Sequence, residues 1–233
     1  MKVLALIPAR GGSKGLLKKN IIPLAGRPLI CHTIQTALDA GVFDRIIVTT
    51  DDDEIARVAA GSGAEVPFMR PAELAKDEIK DFPVFAHALR WLNDRQGYFP
   101  EIVVALRPTC PLRTVEDIRR TLKKIQSCAC DSVRTACPTE YHPYRMVRLE
   151  EDMAQPLMPK EASIIPYRRQ ELPPVYRWNG LAEAMWSRTI LERNTMFGDA
   201  VRVVITPRER SIDIDDEFDL YLAECVLKWK SNP

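Results

Sequence analysis

The sequence has little that would commit it to a membrane, a nucleic acid or an oxidising compartment. No apolar run approaches the roughly 20 residues a membrane span needs. Lys and Arg number 33 against 32 Asp and Glu, a net charge of +1. No overall field therefore draws nucleic acid or an anionic bilayer, and attraction for an anion has to be local. The six cysteines, Cys31, Cys110, Cys128, Cys130, Cys137 and Cys225, are spread over 233 residues. A chain of this length builds a core without a disulfide framework, so ordinary thiols are expected. Cys128 and Cys130 form a C-x-C, but no second thiol pair or nearby His completes a metal site. His32, His87 and His142 are not at ligand spacing, and no Ser-His-Asp or Cys-His arrangement can be argued. In "MKVLALIPAR" the apolar part is too short for a signal peptide, so the cytoplasm is the expected compartment.

What is present is an alternation of two periods. "VLALI" (Val3 to Ile7) and "IVVAL" (Ile102 to Leu106) are short continuous apolar runs, as in strands buried on both faces. "RIIVTT" (Arg45 to Thr50), "DSVRTA" and "VRVVI" (Val201 to Ile205) are further strands, and "EVPFM" a short edge strand interrupted by its Pro. Between them, Pro28 to Gly41, the segment opening at "DDDEIA", Asp81 to Gly97 and Val115 to Gln126 carry helical spacing. This predicts an α/β fold: a mostly parallel, Rossmann-like sheet with right-handed crossovers and helices on both faces. Ligands on such sheets sit outside the carboxyl ends of strands. The stretches after Ile7, Thr50 and Leu106 are expected there. From Cys137 to Asn179 the pattern breaks, with seven of the 18 prolines between Pro138 and Pro174. So long an aperiodic stretch is improbable inside a compact domain. Residues 1–233 are expected to form one domain, with 138–180 as an inserted, protruding segment that packs on another subunit.

Three places carry chemistry. "ARGGSKG" follows the first strand. Gly11 and Gly12 free the backbone to aim amide hydrogens at one point, and Arg10, Lys14 and Lys19 add charge. Together they suit a nucleoside triphosphate and the charge that develops on it during displacement. Ser13 precedes Lys14, which separates the loop from G-x-x-x-x-G-K-[ST]. In "SIDIDDEFD", Asp213 and Asp215 would face one way from an extended chain, as Mg²⁺ ligands. Asp215 could instead cap the last helix. "LRPTCPLR" leaves a buried strand with Arg107 and Arg113 at the exit. "RRQELPPVYRWNG" suits a carboxylate-bearing, hydroxyl-rich ligand or, equally, a protein interface.

"IPARGGSKGLLKKN", "FDRIIVTTDDDEIA", "RPAELAKD", "RPTCPLRT", "ACPTEYHPY", "RRQELPP", "RWNG" and "RSIDIDDEFDLYLAE" stand in the order found in acylneuraminate cytidylyltransferases, which the chain resembles nearly end to end. The resemblance implies a nucleotidyltransferase that moves CMP from CTP to the anomeric hydroxyl of a sialic- or legionaminic-type acid, releasing pyrophosphate. It implies that Arg10, Ser13, Lys14, Lys19 and Asn20, with Gly11 and Gly12, line the triphosphate and nucleoside. It puts Arg70 near the cytidine and Arg107 at the nucleotide, Arg169, Arg177 and Asn179 on the sugar-acid side, and Asp213 and Asp215 on Mg²⁺. It also implies a homodimer. "SKG" leans away from pseudaminic acid. The chain departs from the family's pattern at Arg107, where an amide is usual, at Glu78, Lys80 and Asp81, where small hydroxyl residues are usual, and at Glu183 in "NGLAEAMW". A related transferase with another base or acid, and a non-catalytic nucleotide-binding homologue, are the alternatives.

Overall fold

The computed structural model describes residues 1–12, 15–158 and 168–231; Ser13, Lys14 and the side chain of Arg169 lie outside the described residues. Val3–Pro8 (β1) is buried along almost its whole length, as a continuous apolar run requires of a strand covered on both faces. A small antiparallel hairpin, Pro23–Leu24 (β2) and Arg27–Pro28 (β3), precedes helix Leu29–Ala40 (α1). β1 pairs in parallel with Arg45–Thr49 (β4) on one side and Ile102–Ala105 (β5) on the other. Helix Asp53–Gly61 (α2) starts where the Asp52 carboxylate accepts from the amides of Glu54 and Ile55 at 2.8 and 2.9 Å, satisfying donors that a helix start leaves orphaned. Helices Asp81–Gln96 (α3) and Val115–Ser127 (α4) then flank β5, and α4 opens with a capping box of Thr114 and Asp117.

Beyond α4, Ser132–Pro138 (β6) leads into the aperiodic stretch. Its described part contains a hairpin, Val147–Glu150 (β7) with Met153–Pro156 (β8), every residue of which is exposed. Tyr176–Trp186 (β9), Ser187–Leu191 (α5), Val201–Ile205 (β10) and Glu217–Ser231 (α6) complete the chain. The main sheet runs β10-β6-β9-β5-β1-β4. It is parallel except for β9, which lies antiparallel between β5 and β6. β9 is exposed at its first residues and buried at its last, so neither a period of two nor an apolar run marks it in the sequence. The expected strand at "EVPFM" does not form. Two isolated bridges, Ile47 to Glu65 and Thr50 to Met69, replace it, because Pro67 has no amide to continue a ladder.

Alternate residues of β1 serve opposite faces. Ala5 and Ile7 pack with Ile30, Ile34, Ile55, Ile118 and Leu122 of α1, α2 and α4. Leu4 and Leu6 pack with Phe85, Leu89 and Leu92 of α3 and Ile190 of α5. A third cluster joins Leu16, Leu24 and Leu29 to Ile214 and Ala223, tying the glycine loop to the C-terminal acidic stretch. Burying one such side chain contributes about 1.5–3 kcal/mol. Both sheet edges are partly covered. The bridges to Glu65 and Met69 line β4. On β10, Lys124 Nζ donates to the Val203 carbonyl at 2.6 Å and Arg120 to that of Ile205 at 3.3 Å. From β1 the chain crosses to β4 on one side and returns to β5 on the other. Adjacent connections therefore diverge between β1 and β5, and a crevice opens at their carboxyl ends.

Candidate active site

The crevice holds a cavity of about 480 Å³, walled by Pro8 and Arg10 after β1 and by Arg107, Pro108 and Thr109 after β5. Gly15, Lys19, Asn20, Arg70, Lys76, Asp77, Asp81 and Asp215 complete its polar lining, and Leu74, Ile79 and Val84 form an apolar wall. Local chemistry sets the first loop. The Gly11 amide donates to Asp51 Oδ1 at 3.0 Å. A Cβ on Gly11 would stand 2.8 Å from Asp52 Oδ2 and 2.9 Å from its Cβ, so only glycine passes the start of α2. Asn20 is buried and its Nδ2 donates to the Arg10 carbonyl at 2.9 Å, clasping the two ends of the loop.

The acidic stretch is pinned from four sides. The Ile214 amide donates to the Thr109 carbonyl at 2.8 Å. Asn179 Nδ2 donates to Ser211 Oγ and Thr206 Oγ1, each at 2.7 Å. Arg177 Nη2 donates to the Ser211 carbonyl at 2.6 Å. Arg210 donates to both oxygens of the buried Asp117, at 3.2 and 2.6 Å. Ile214 is buried and Ile212 half-buried while Asp213 and Asp215 are exposed, the alternation the sequence implies. The helix cap belongs to Asp216, not Asp215: Asp216 Oδ1 accepts from the Asp219 amide at 2.9 Å, and Asp219 Oδ2 accepts from those of Asp215 and Asp216. The Asp215 carboxylate is thereby left to the cavity, where Lys19 Nζ meets its Oδ1 at 2.9 Å. The backbone here is equally close, since a Cβ on Gly15 would collide with the Asp215 carbonyl oxygen.

Three cations of the cavity each face a carboxylate. Arg10 Nη1 lies 2.6 Å from Asp77 Oδ1, Lys19 faces Asp215, and Arg107 Nη2 lies 2.5 Å from Asp81 Oδ2. Arg70 differs. It is buried, its Nη2 donates to the Thr49 carbonyl at 2.5 Å, and burial pulls its pKa down against the opposing charges of Asp51 and Asp81. Arg107 stays firmly charged: burial works against it, but Glu183 and Asp81 outweigh that and raise its pKa. Arg113 is not a surface residue. It is buried and donates to the carbonyls of Leu181 and Arg107 and to Thr33 Oγ1 at 2.5–2.6 Å, and burial lowers its pKa to about 10. It braces the Arg107 turn from behind.

The structure thus brings Arg10, Lys19, Asn20, Arg70, Arg107 and Asp215 to one cavity. Asp213 and Arg177 line a neighbouring cavity of about 890 Å³ with Tyr141, Arg208 and Trp229. Asn179 is buried and lines neither, and Gly12 is exposed. Asp77 closes the "RPAELAKD" motif and Asp81 is one of the departures from the family's pattern, but only their place beside a cation identifies them as counter-anions. Among the described residues no three His, Cys, Asp or Glu side chains form a cage for a metal ion. Asp213 and Asp215 nonetheless offer exposed hard oxygen donors of the kind Mg²⁺ takes, since Mg²⁺ keeps several waters and shares its shell with substrate phosphates.

A mostly parallel α/β sheet with a cation-lined cavity at its switch point defines an enzyme of the nucleotidyltransferase type. The chain belongs to the cytidylyltransferase family, whose pattern it matches over residues 4–183. It is 32% identical to a pseudaminic acid cytidylyltransferase of Campylobacter jejuni over 228 residues, covering 98% of this chain and 97% of that one. It is 32% identical to a CMP-N,N'-diacetyllegionaminic acid synthase of Legionella pneumophila, covering 98% and 97%. It is 31% identical to an N-acylneuraminate cytidylyltransferase of Escherichia coli, covering 99% of this chain and 53% of that longer one. Among solved structures, a CMP:2-keto-3-deoxy-manno-octonic acid synthetase complexed with CTP superposes with a TM-score of 0.73 at 16% identity, covering 99% and 100%. A 4-diphosphocytidyl-2C-methyl-D-erythritol synthase of Anaerococcus prevotii gives 0.65 at 15%, covering 97% and 98%. At such identities the likeness is one of fold.

Proposed function

We infer that the protein transfers CMP from CTP to the anomeric hydroxyl of a nonulosonic acid and releases pyrophosphate. The observation that carries this reading is the cavity between β1 and β5, where Arg10, Lys19, Arg70 and Arg107 converge with Asp215 in a chain of the cytidylyltransferase family. The apolar wall of Leu74, Ile79 and Val84 suits the flat face of a base. Arg10, Lys19 and Arg70 gather the triphosphate, and their fixed charges oppose the repulsion a phosphoryl centre offers an attacking hydroxyl. Ser13 and Lys14, outside the described residues, would be further triphosphate contacts by their place in the glycine loop. Holding the hydroxyl in line with the leaving pyrophosphate is the remaining requirement, and rigid placement alone can lower such a barrier substantially.

Asp213 and Asp215 would hold Mg²⁺, which when bound supplies charge masking as a Lewis acid. Arg177, which lines the second cavity, and Asn179, which holds Ser211 of the same wall, would form the sugar-acid side, and Arg169, its side chain outside the described residues, would join them. The exposed β7–β8 hairpin, with Leu149 70% and Met153 63% exposed, would pack on a second copy and make a homodimer within the 138–180 insertion. No described helix is long and apolar enough to cross a membrane, and we place the reaction in the cytoplasm, where CTP is made. The test is pyrophosphate release by purified protein with each of the four nucleoside triphosphates, Mg²⁺ and a panel of sialic, legionaminic and pseudaminic acids. Release with CTP and one such acid is expected; CTP binding without turnover on any acid would overturn the reading.

A further inference from the structure

Four ionic side chains from separate elements meet beside the cavity. Glu183 of β9 is buried, and its carboxylate accepts from Arg134 Nη1 of β6 at 2.5 Å and from Arg107 Nη2 at 3.4 Å. The same Arg107 nitrogen donates to Asp81 Oδ2, in the first turn of α3, at 2.5 Å. Among the described residues, the hydrogen bonds of the Arg107 side chain thus all fall on one nitrogen. Its Nε and Nη1 donate to none of the described residues, although the side chain is about a third exposed (31%) and lines the cavity. Arg134 is placed differently. It is buried, donates a second bond to the Met196 carbonyl at 3.1 Å, and lies 3.4 Å from the centre of the Phe197 ring.

These positions are built rather than incidental. Gly180 sits at φ +64°, and a Cβ there would come within 3.3 Å of Arg107 Cδ and 3.2 Å of Cys110 Sγ, so the strand makes room for the arginine stem. A buried carboxylate is costly unless it is paired, and Arg134 already pairs Glu183 at close range. Reaching a second, cavity-facing guanidinium as well gives Glu183 a task that core stability does not require. Arginine favours two parallel bonds to an oxyanion. Arg107 has one of the two terminal nitrogens of that fork open and the other held by Asp81.

We propose that Arg107 is a specificity-determining residue that receives a substrate oxyanion in a two-bond fork, with Glu183 as the positioning residue that aims it and Asp81 as the built-in competitor the anion displaces. This rests on the nucleotidyl transfer inferred above. The oxyanion is either the carboxylate of the sugar acid or a phosphate of CTP, and the same measurement separates them. The three residues are among the positions at which the chain departs from the pattern it resembles, and the structure joins them in one network.

The experiment compares Arg107→Gln, Glu183→Gln and Asp81→Asn with the parent protein. Pyrophosphate release is followed with CTP varied at saturating acid and then the reverse. Arg107→Gln is expected to raise one KM about tenfold, as loss of a charged hydrogen bond does. A rise for the acid identifies its carboxylate; a rise for CTP identifies a phosphate. Glu183→Gln should raise the same KM, with kcat changed less, and Asp81→Asn should lower it. Opposite signs from two acidic residues are not what a merely structural role produces. Should Glu183→Gln fail to fold by circular dichroism, Arg107→Gln and the sign of Asp81→Asn still decide. Should the parent protein turn over no acid, the inferred function falls but calorimetric binding of CTP and of the acids still reports on Arg107. Neither KM nor Kd moving beyond about twofold in Arg107→Gln, or Asp81→Asn weakening binding, would overturn the proposal.

Discussion

Lys19 and Asp215 stand 196 positions apart in the chain, yet the ammonium of one lies 2.9 Å from a carboxylate oxygen of the other. The contact closes the cavity between the glycine loop and the acidic stretch, and it is the shortest route to testing the site. Both side chains reach solvent, so the pair itself adds little to stability. Asp215→Asn should therefore leave the thermal midpoint within a few degrees while turnover falls about a hundredfold or more, the scale on which a lost electrostatic stabiliser acts. Lys19→Ala should raise the KM for CTP far more than that for the acid. Unchanged turnover in Asp215→Asn would remove it from the chemistry.

Gly15→Ala tests the same junction through the backbone. The added methyl would meet the Asp215 carbonyl oxygen, which cannot rotate away as a side chain could. Relief requires the loop to move off the acidic stretch. The expected result is a loss of about 1–3 kcal/mol in chemical denaturation, together with weaker CTP binding by calorimetry. Gly12→Ala, with nothing within 4 Å of the new methyl, serves as the matched control for stability.

Arg210→Ala should leave the Asp117 carboxylate buried without its charged partner, although Thr114 still donates to it. Removing one member of a buried pair costs about 3–5 kcal/mol. The retained cap bonds should bring the loss to the low end of that range. Denaturant midpoints measure it, and dependence of activity on Mg²⁺ concentration should shift upward as the 211–215 stretch loosens.

Cys110 offers a test by pH. Burial, reinforced by Asp213, pushes its thiol up to about 12, above an unfolded value of about 8.5. The folded state thus holds the proton longer than the unfolded state does. Cys110's contribution to stability is fully present below pH about 8.5 and is lost as pH rises toward 12. Denaturation at about pH 8 and about pH 10 should show a fall that Cys110→Ala reduces. At the lower pH, iodoacetamide should label the exposed Cys225 and leave Cys110 unmodified, as peptide mass spectrometry can verify.

Leu149→Asp with Met153→Asp should separate the proposed homodimer. Both positions are exposed on the β7–β8 hairpin, so a monomer would lose no internal packing. Light scattering after size exclusion should show the mass halved, with the fold intact by circular dichroism. A parent protein that is already monomeric would refute the assembly.

The sheet was legible wherever one physical signal dominated. β1 and β5 are buried on both faces and read as apolar runs; α1 and α4 read as helical stripes with recognisable boundaries. β9 was not legible, because its first half faces solvent and its second half the core, and it runs against its neighbours in a sheet of parallel strands. At the site, Arg10, Lys19 and Asp215 stood out by charge after glycine or by alternation with isoleucine. The roles of their partners Asp77 and Asp81 did not, since a carboxylate in a loop or first helical turn reads as solvated until a cation is placed beside it. The burial of Arg113 was not legible, because no local pattern reveals that the acceptors of Thr33 and Leu181 fold over it.

The partly covered rims of the sheet bear on how copies of this chain can meet. Lys124 and Arg120 occupy carbonyls along β10, and the bridges to Glu65 and Met69 sit along β4. A neighbouring chain cannot extend the ladder by adding a strand there without first prising off an ammonium or a loop. Concentrated protein should accordingly resist fibril growth, and assembly is channelled into contacts between side chains, which are finite in number and self-limiting.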